Sequence, residues 1–102
     1  MKILVVCGAG ASSTFVALKV RKAAAERGVA VEVRAGSADQ LEAFGDLDVV
    51  LVGAHLAASV DELRARARAL GASVAVLPAV SPAALDGDEA LDLALDTRAA
   101  AL

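Results

Sequence analysis

Residues 3–20 read ILVVCGAGASSTFVALKV. An apolar run passes into the only cysteine of the chain, then into small residues and three successive hydroxyls, and then into a helix-like pattern. The run Ile3–Cys7 is continuously apolar, as expected of a strand covered on both faces. From Ser12 to Arg27 the residues Val16, Val20, Ala23 and Ala24 share one stripe, and Gly28 supplies a left-handed stop. The stretch therefore reads as strand, tight loop, helix, with Cys7 at the junction.

Three further strand-like runs follow, at Val29–Arg34, Asp48–Val52 and Ser73–Leu77. The third strand, with VVLV, is again apolar throughout. The second, VAVEVRA, alternates and suits an edge strand with one wet face. Between them lie helical signals. Ser37–Gln40 has the S-x-x-Q pattern of a capping box for a short helix through Phe44. Ser59–Glu62 reads S-x-x-E and opens a helix with Val60, Leu63, Ala67 and Leu70 inward. There Arg64, Arg66 and Arg68 lie off that stripe, Glu62 is spaced to pair with Arg66, and Gly71 ends the helix. Ser81-Pro82 reads as a helix start, and Asp88 as the cap of a last helix carrying Leu91, Ala94 and Leu95. The final TRAAAL is expected to fray.

This β-α-β-α-β-α-β-α order implies right-handed crossovers and a parallel sheet with helices on both sides. Ligands in such sheets bind at the carboxyl ends of the strands, where the strand order reverses. Cys7 stands at the carboxyl end of strand 1.

The 102-residue length fits a single domain spanning residues 1–102. With no Trp or Tyr, and Phe15 and Phe44 as the only aromatics, the core must be Ala, Val and Leu. A net charge of −3 and the near-absence of aromatics argue against a nucleic-acid partner. One cysteine fits a reducing compartment. The longest apolar run near the N-terminus is far too short for a signal h-region or a membrane span, so the expectation is a cytoplasmic domain without direct membrane insertion.

Chemistry concentrates in Gly8, Ala9, Gly10, Ala11, Ser12, Ser13 and Thr14. The glycines let consecutive N–H groups point into one concavity, and the helix start adds unpaired N–H groups and its dipole, which together make an anion nest. The hydroxyls can donate to phosphate oxygens or cap the helix. The same positive end lowers a thiol pKa, and a thiolate beside such a nest is placed to accept a phosphoryl group. The competing reading is a small buried hydrophobe, which free cysteine often is. The strand-end position before a small-residue loop favours the nucleophile. The loop lacks the lysine of a nucleotide-binding P-loop and the third glycine of a dinucleotide fingerprint.

With these residues in view, the sequence resembles the enzyme IIB components of the bacterial sugar phosphotransferase system, most closely the lactose/cellobiose/chitobiose class. The resemblance covers essentially the whole chain. It rests on KILVVCGAGASSTFVALKV, on DVVLVGAH as third strand and following loop, and on a last helix after DGDEALDLAL. It implies a flavodoxin-like three-layer sandwich with a four-stranded parallel sheet in the order 2-1-3-4. It implies that Cys7 takes a phosphoryl group from a phosphohistidine on a IIA protein and passes it to a sugar, such as a β-glucoside or other disaccharide, held by a membrane IIC transporter. No metal or nucleotide cofactor is then needed, because the phosphoryl group arrives on a protein, and the location is the cytoplasmic side of the membrane. The chain departs from the class after strand 3, where Gly53-Ala54-His55 stands in place of Gly-Pro-Gln.

The architecture also resembles small tyrosine phosphatases and arsenate reductases, which carry C-x5-R with the arginine gripping the phosphoryl oxygens. Here the sixth residue after Cys7 is Ser13 and the nearest downstream arginine is Arg21, about two turns up the helix. A carrier must hold its phosphoryl group away from water, and a loop without that arginine fits the need. A non-catalytic regulatory module is the remaining alternative, and Cys7 with its small-residue loop speaks against it. His55, the only histidine, falls on the same rim as Cys7. Its role stays open between contact with the phosphoryl group, pairing with the thiolate, a partner surface and a solvent-facing position. The arginines Arg64, Arg66 and Arg68 read most simply as a solvated helix face, with docking of an acidic partner as the alternative.

Overall fold

The computed structural model describes residues 1–6, 10–79 and 84–101, without the side chains of 10–12, 55, 57, 58 and 101. Its strands are β1 (Lys2–Val6), β2 (Glu32–Gly36), β3 (Val49–Val52) and β4 (Ser73–Val76), and its helices α1 (Gly10–Arg27), α2 (Val60–Ala69) and α3 (Gly87–Ala101). All neighbouring strands are parallel, and the sheet runs β2-β1-β3-β4. This is the expected order, with β1 and β3 central and β2 at one edge.

Side chains alternate across the pleat, so each central strand serves two cores. Ile3, Val5, Val49 and Leu51 face one layer with Val16, Val20, Ala23 and Ala24 of α1 and Ala90, Leu91 and Ala94 of α3. Leu4, Val6, Val50 and Val52 face the other, with Leu41, Leu47 and, from α2, Leu63 and Ala67. Every residue of β3 is buried, and so is all of β1 after Lys2, which accounts for their unbroken apolar runs.

Helices α1 and α2 end alike. Val29 N–H donates to Ala24 O at 2.9 Å and Gly28 N–H to Ala25 O at 3.3 Å, while Ala72 and Gly71 repeat the pattern on Ala67 O and Arg68 O. Both are Schellman ends. Each needs a left-handed residue, supplied by Gly28 at φ 67° and Gly71 at φ 77°.

Several expected boundaries move for local reasons. Strand 2 begins at Glu32 instead of Val29, because Val29 is spent closing α1 and Glu32 N–H is the first to meet β1, at Met1 O, 2.8 Å. The short helix through Phe44 becomes two 3₁₀ turns, Ala38–Gln40 and Glu42–Phe44. Ser37 N–H donates to Gln40 Oε1 at 3.0 Å, as that motif requires. Arg66 does not pair with Glu62 along α2. It reaches across to Glu42, with Nε–Oε1 and Nη2–Oε2 both 2.7 Å, and to Ala38 O at 2.8 Å. A fork bonding two oxygens at once outcompetes a single i,i+4 contact, so Arg66 is a clasp and not part of a solvated face. Asp86, not Asp88, caps α3: Asp86 Oδ1 accepts Asp88 N–H at 2.9 Å, and Ala90 N–H meets Asp86 O at 3.0 Å. Helix α3 continues through Thr97 to Ala101, where fraying was expected, and Arg98 Nη2 lies 3.3 Å from Asp48 Oδ1. The Ser81-Pro82 start lies outside the described residues.

Candidate functional site

The carboxyl ends of the two central strands meet at one hydrogen bond. Gly53 N–H, just past β3, donates to Val6 O, the last described atom group of β1, at 2.8 Å. Beyond Gly53 the chain turns into a 3₁₀ helix, Ala54–Ser59, with Leu56 N–H closing on Gly53 O at 2.9 Å. Beyond Val6 the next described residue is Gly10, the first of α1. The carboxyl end of β1 and the β3 loop are therefore neighbours on one rim, where the strand order reverses between β1 and its two partners.

Cys7, Gly8 and Ala9 lie outside the described residues, and so do the side chains of Ala11, Ser12 and His55. Gly10, Ala11 and Ser12 form the first turn of α1, whose leading N–H groups have no intrahelical acceptor. Ser13 is 1 % exposed, whereas Thr14 is exposed. His55 sits in the second position of the 3₁₀ helix that follows Gly53, so its backbone belongs to this rim. Leu56 beside it is half-buried against Leu4, Val6 and their layer.

Outward from the loop, α1 presents Phe15 at 46 % exposure and Leu18 at 54 %. Lys19 Nζ stands 5.2 Å from the Phe15 ring centroid and donates to Leu85 O at 2.7 Å. It thus ties the helix that opens at the loop to the segment before α3. Sequence reasoning did not single out Lys19, since only the fold brings Leu85 to it across 66 residues.

Arg21 is directed elsewhere. Its Nε donates to Val33 O at 2.8 Å, and Nη2 donates to the same oxygen. The arginine nearest to the loop in sequence is engaged at the sheet edge, and position 13 holds a buried serine. The sequence therefore lacks the C-x5-R spacing, and Arg21 and Arg34 line one hollow with Thr14.

The Arg66 fork holds the Glu42 carboxyl at about 2, well below its ordinary value of 4.5, with the Glu42 backbone amide assisting. No described helix is long and apolar enough to cross a membrane.

The family described as "PTS system, Lactose/Cellobiose specific IIB subunit" matches residues 2–93. Among solved structures, the lactose-specific IIB component domain of the phosphoenolpyruvate:carbohydrate phosphotransferase system (PTS) from Streptococcus pneumoniae superposes with a TM-score of 0.81. It is 20 % identical, and the match covers 95 % of this chain and 96 % of that one, so the two share a fold. No curated protein sequence matches the chain. The family match spans nine-tenths of the sequence, from the first strand into the last helix, and the protein belongs to the lactose/cellobiose-specific IIB subunits of the PTS.

Proposed function

We propose that Cys7 is the phosphoryl acceptor of this IIB subunit, and that residues 8–14 hold the transferred group. Membership of the family makes the protein a phosphotransferase component, a phosphoryl carrier in sugar uptake. The observation that carries the assignment of Cys7 is connectivity. The only cysteine follows the last residue of a central strand and precedes the first turn of α1 by three residues, on the rim where Gly53 N–H meets Val6 O.

In this reading the Cys7 thiolate attacks the phosphorus of a phosphohistidine on IIA. A sulfur–phosphorus bond forms, the nitrogen–phosphorus bond breaks, and the imidazole leaves and takes up a proton. The leading N–H groups of α1 stabilise charge on the phosphoryl oxygens through the transfer. In the second step a hydroxyl of a sugar held by IIC attacks the same phosphorus, its proton departs, and the sulfur–phosphorus bond breaks to restore the thiolate. No metal or nucleotide takes part. A loop free of arginine does little to help water compete, which suits a carrier better than a phosphatase. The protein acts at the cytoplasmic face of the membrane, through its partner IIC.

The surface offered to IIA is the small-residue and apolar rim around the loop: Gly10, Ala11, Phe15, His55 and Leu56. Phe15 supports this reading because it is large, apolar and nearly half exposed in the second turn after the loop.

The test is phosphotransfer followed by intact mass, with phosphoenolpyruvate, the general phosphotransferase proteins and a cognate IIA. One phosphoryl adduct on the wild type that is absent from Cys7→Ser establishes the acceptor. Phosphate release from an aryl phosphate without an adduct moves the protein to the phosphatase reading. Phe15→Asp slows transfer from IIA if the apolar rim is the docking surface, and an unchanged rate removes Phe15 from it.

A further inference from the structure

Strand β2 is an edge strand, and its register tells which backbone groups it spends on β1. Glu32 N–H donates to Met1 O at 2.8 Å, and the Cα partners run from Lys2↔Glu32 to Val6↔Gly36. In a parallel ladder alternate residues turn both backbone groups toward the same neighbour. Glu32, Arg34 and Gly36 therefore face β1, while Val33 and Ala35 present N–H and C=O to the open edge. Such an edge is a template for another strand. The carbonyl at its centre is occupied, because Val33 O accepts from both Nε and Nη2 of Arg21.

The side chains beside Val33 are charged, exposed and opposite in sign, with Arg34 Nη2 3.3 Å from Glu32 Oε1. A second copy of β2 laid antiparallel across a two-fold axis at Val33 sets Val33 opposite Val33. Those two residues form the pair that exchanges N–H···O bonds. Glu32 of each copy then faces Arg34 of the other in the closer, non-hydrogen-bonded positions. Moving the axis by one residue sets Arg34 against Arg34 or Glu32 against Glu32. Charge thus favours the Val33 axis over its two neighbours, and the resulting contact is isologous and closed.

We propose that the β2 edge is a self-complementary homodimer surface, and that Arg21 keeps the protein monomeric by occupying the Val33 carbonyl on the prospective two-fold axis. The partner is a second copy of this chain, and its strand would complete one continuous eight-stranded sheet. This surface lies at the sheet edge and does not depend on the role assigned to Cys7.

The test replaces Arg21 by Met, which keeps an apolar stem and removes the guanidinium, and measures mass by sedimentation equilibrium in reducing buffer. The wild type stays at 10.2 kDa, whereas Arg21→Met rises toward twice that mass with concentration while circular dichroism stays folded. Glu32→Arg added to Arg21→Met sets like charges opposite and returns the monomer. A third change, Arg34→Glu, restores opposite signs and the dimer. Arg21→Met that stays monomeric at millimolar concentration overturns the proposal. So does association indifferent to the charge changes, or a wild type already dimeric.

Discussion

At the amino-terminal end of the sheet, Lys2 N–H donates to Asp48 Oδ2 at 2.7 Å and Arg98 lies 3.3 Å from Asp48 Oδ1. At the carboxyl-terminal end, Val6 O takes Gly53 N–H, and residues 7–18 contain no ionisable side chain besides Cys7. The amino end is clasped by charge, whereas the residues that open α1 at the other end are small or carry hydroxyls. The difference fits the proposed phosphoryl acceptor. A carboxylate at the carboxyl end would repel a phosphoryl group, and a guanidinium there would stabilise attack by water as readily as transfer. The Asp48–Arg98 pair, which helps hold the fold, sits at the opposite end of the sheet from the loop.

The severest way to break this contrast is Cys7→Ser, for which we expect complete loss of the phosphoryl adduct from IIA, read by intact mass. An adduct that survives puts the acceptor elsewhere. Next is the strand both ends share. Leu51→Ala empties a fully buried site and should cost about 2–5 kcal/mol, measured by urea unfolding. Gly87 tests the packing of α3 on α1. A Cβ there meets Lys19 O at 2.5 Å, so Gly87→Ala should cost about 1–3 kcal/mol, seen as a lowered urea midpoint.

Asp48→Asn sharpens the comparison directly. It weakens the amino-end clasp, whose side chains are partly exposed, so the expected loss is about 0.5–1 kcal/mol. The rate of Cys7 phosphorylation should be unchanged, and a slowed transfer would mean that the two ends are coupled. The smallest effect concerns pH. The folded-state pKa of Glu42 is depressed from 4.5 to about 2 by its hydrogen bonds with Arg66. Its contribution is fully present above 4.5 and is lost as pH falls toward 2. Glu42→Gln should flatten acid destabilisation in that window, followed by thermal melts at stepped pH.

Much of the fold was legible because burial on both faces writes itself into a strand. ILVV and VVLV could belong only to covered central strands, and VAVEVRA to an edge. The start of strand 2 was misplaced because Val29 and Val31 have strand-like side chains, while the Schellman end of α1 takes the Val29 N–H. In the sequence Asp88 reads as the cap of α3, and only the bond from Asp88 N–H to Asp86 Oδ1 gives that role to Asp86. At the site, Cys7 and its glycines stood out by residue type and position. Lys19 and Arg21 did not, since nothing local distinguishes a lysine that will meet Leu85 or an arginine that will meet Val33 from any solvated cation of an amphipathic helix.

By itself the sequence determined the strand and helix alternation, the central place of the cysteine-bearing strand, and the family. Periodicity, left-handed glycines and a loop of small residues are properties of contiguous residues, so they survive without a fold. The tertiary structure alone decided which charges pair and which edges close. Arg66 meets Glu42 across 24 residues, Arg98 meets Asp48, and Arg21 covers Val33. Each long cation has several acceptors within reach of its flexible stem, and only the packed layers select the one that is within bonding distance.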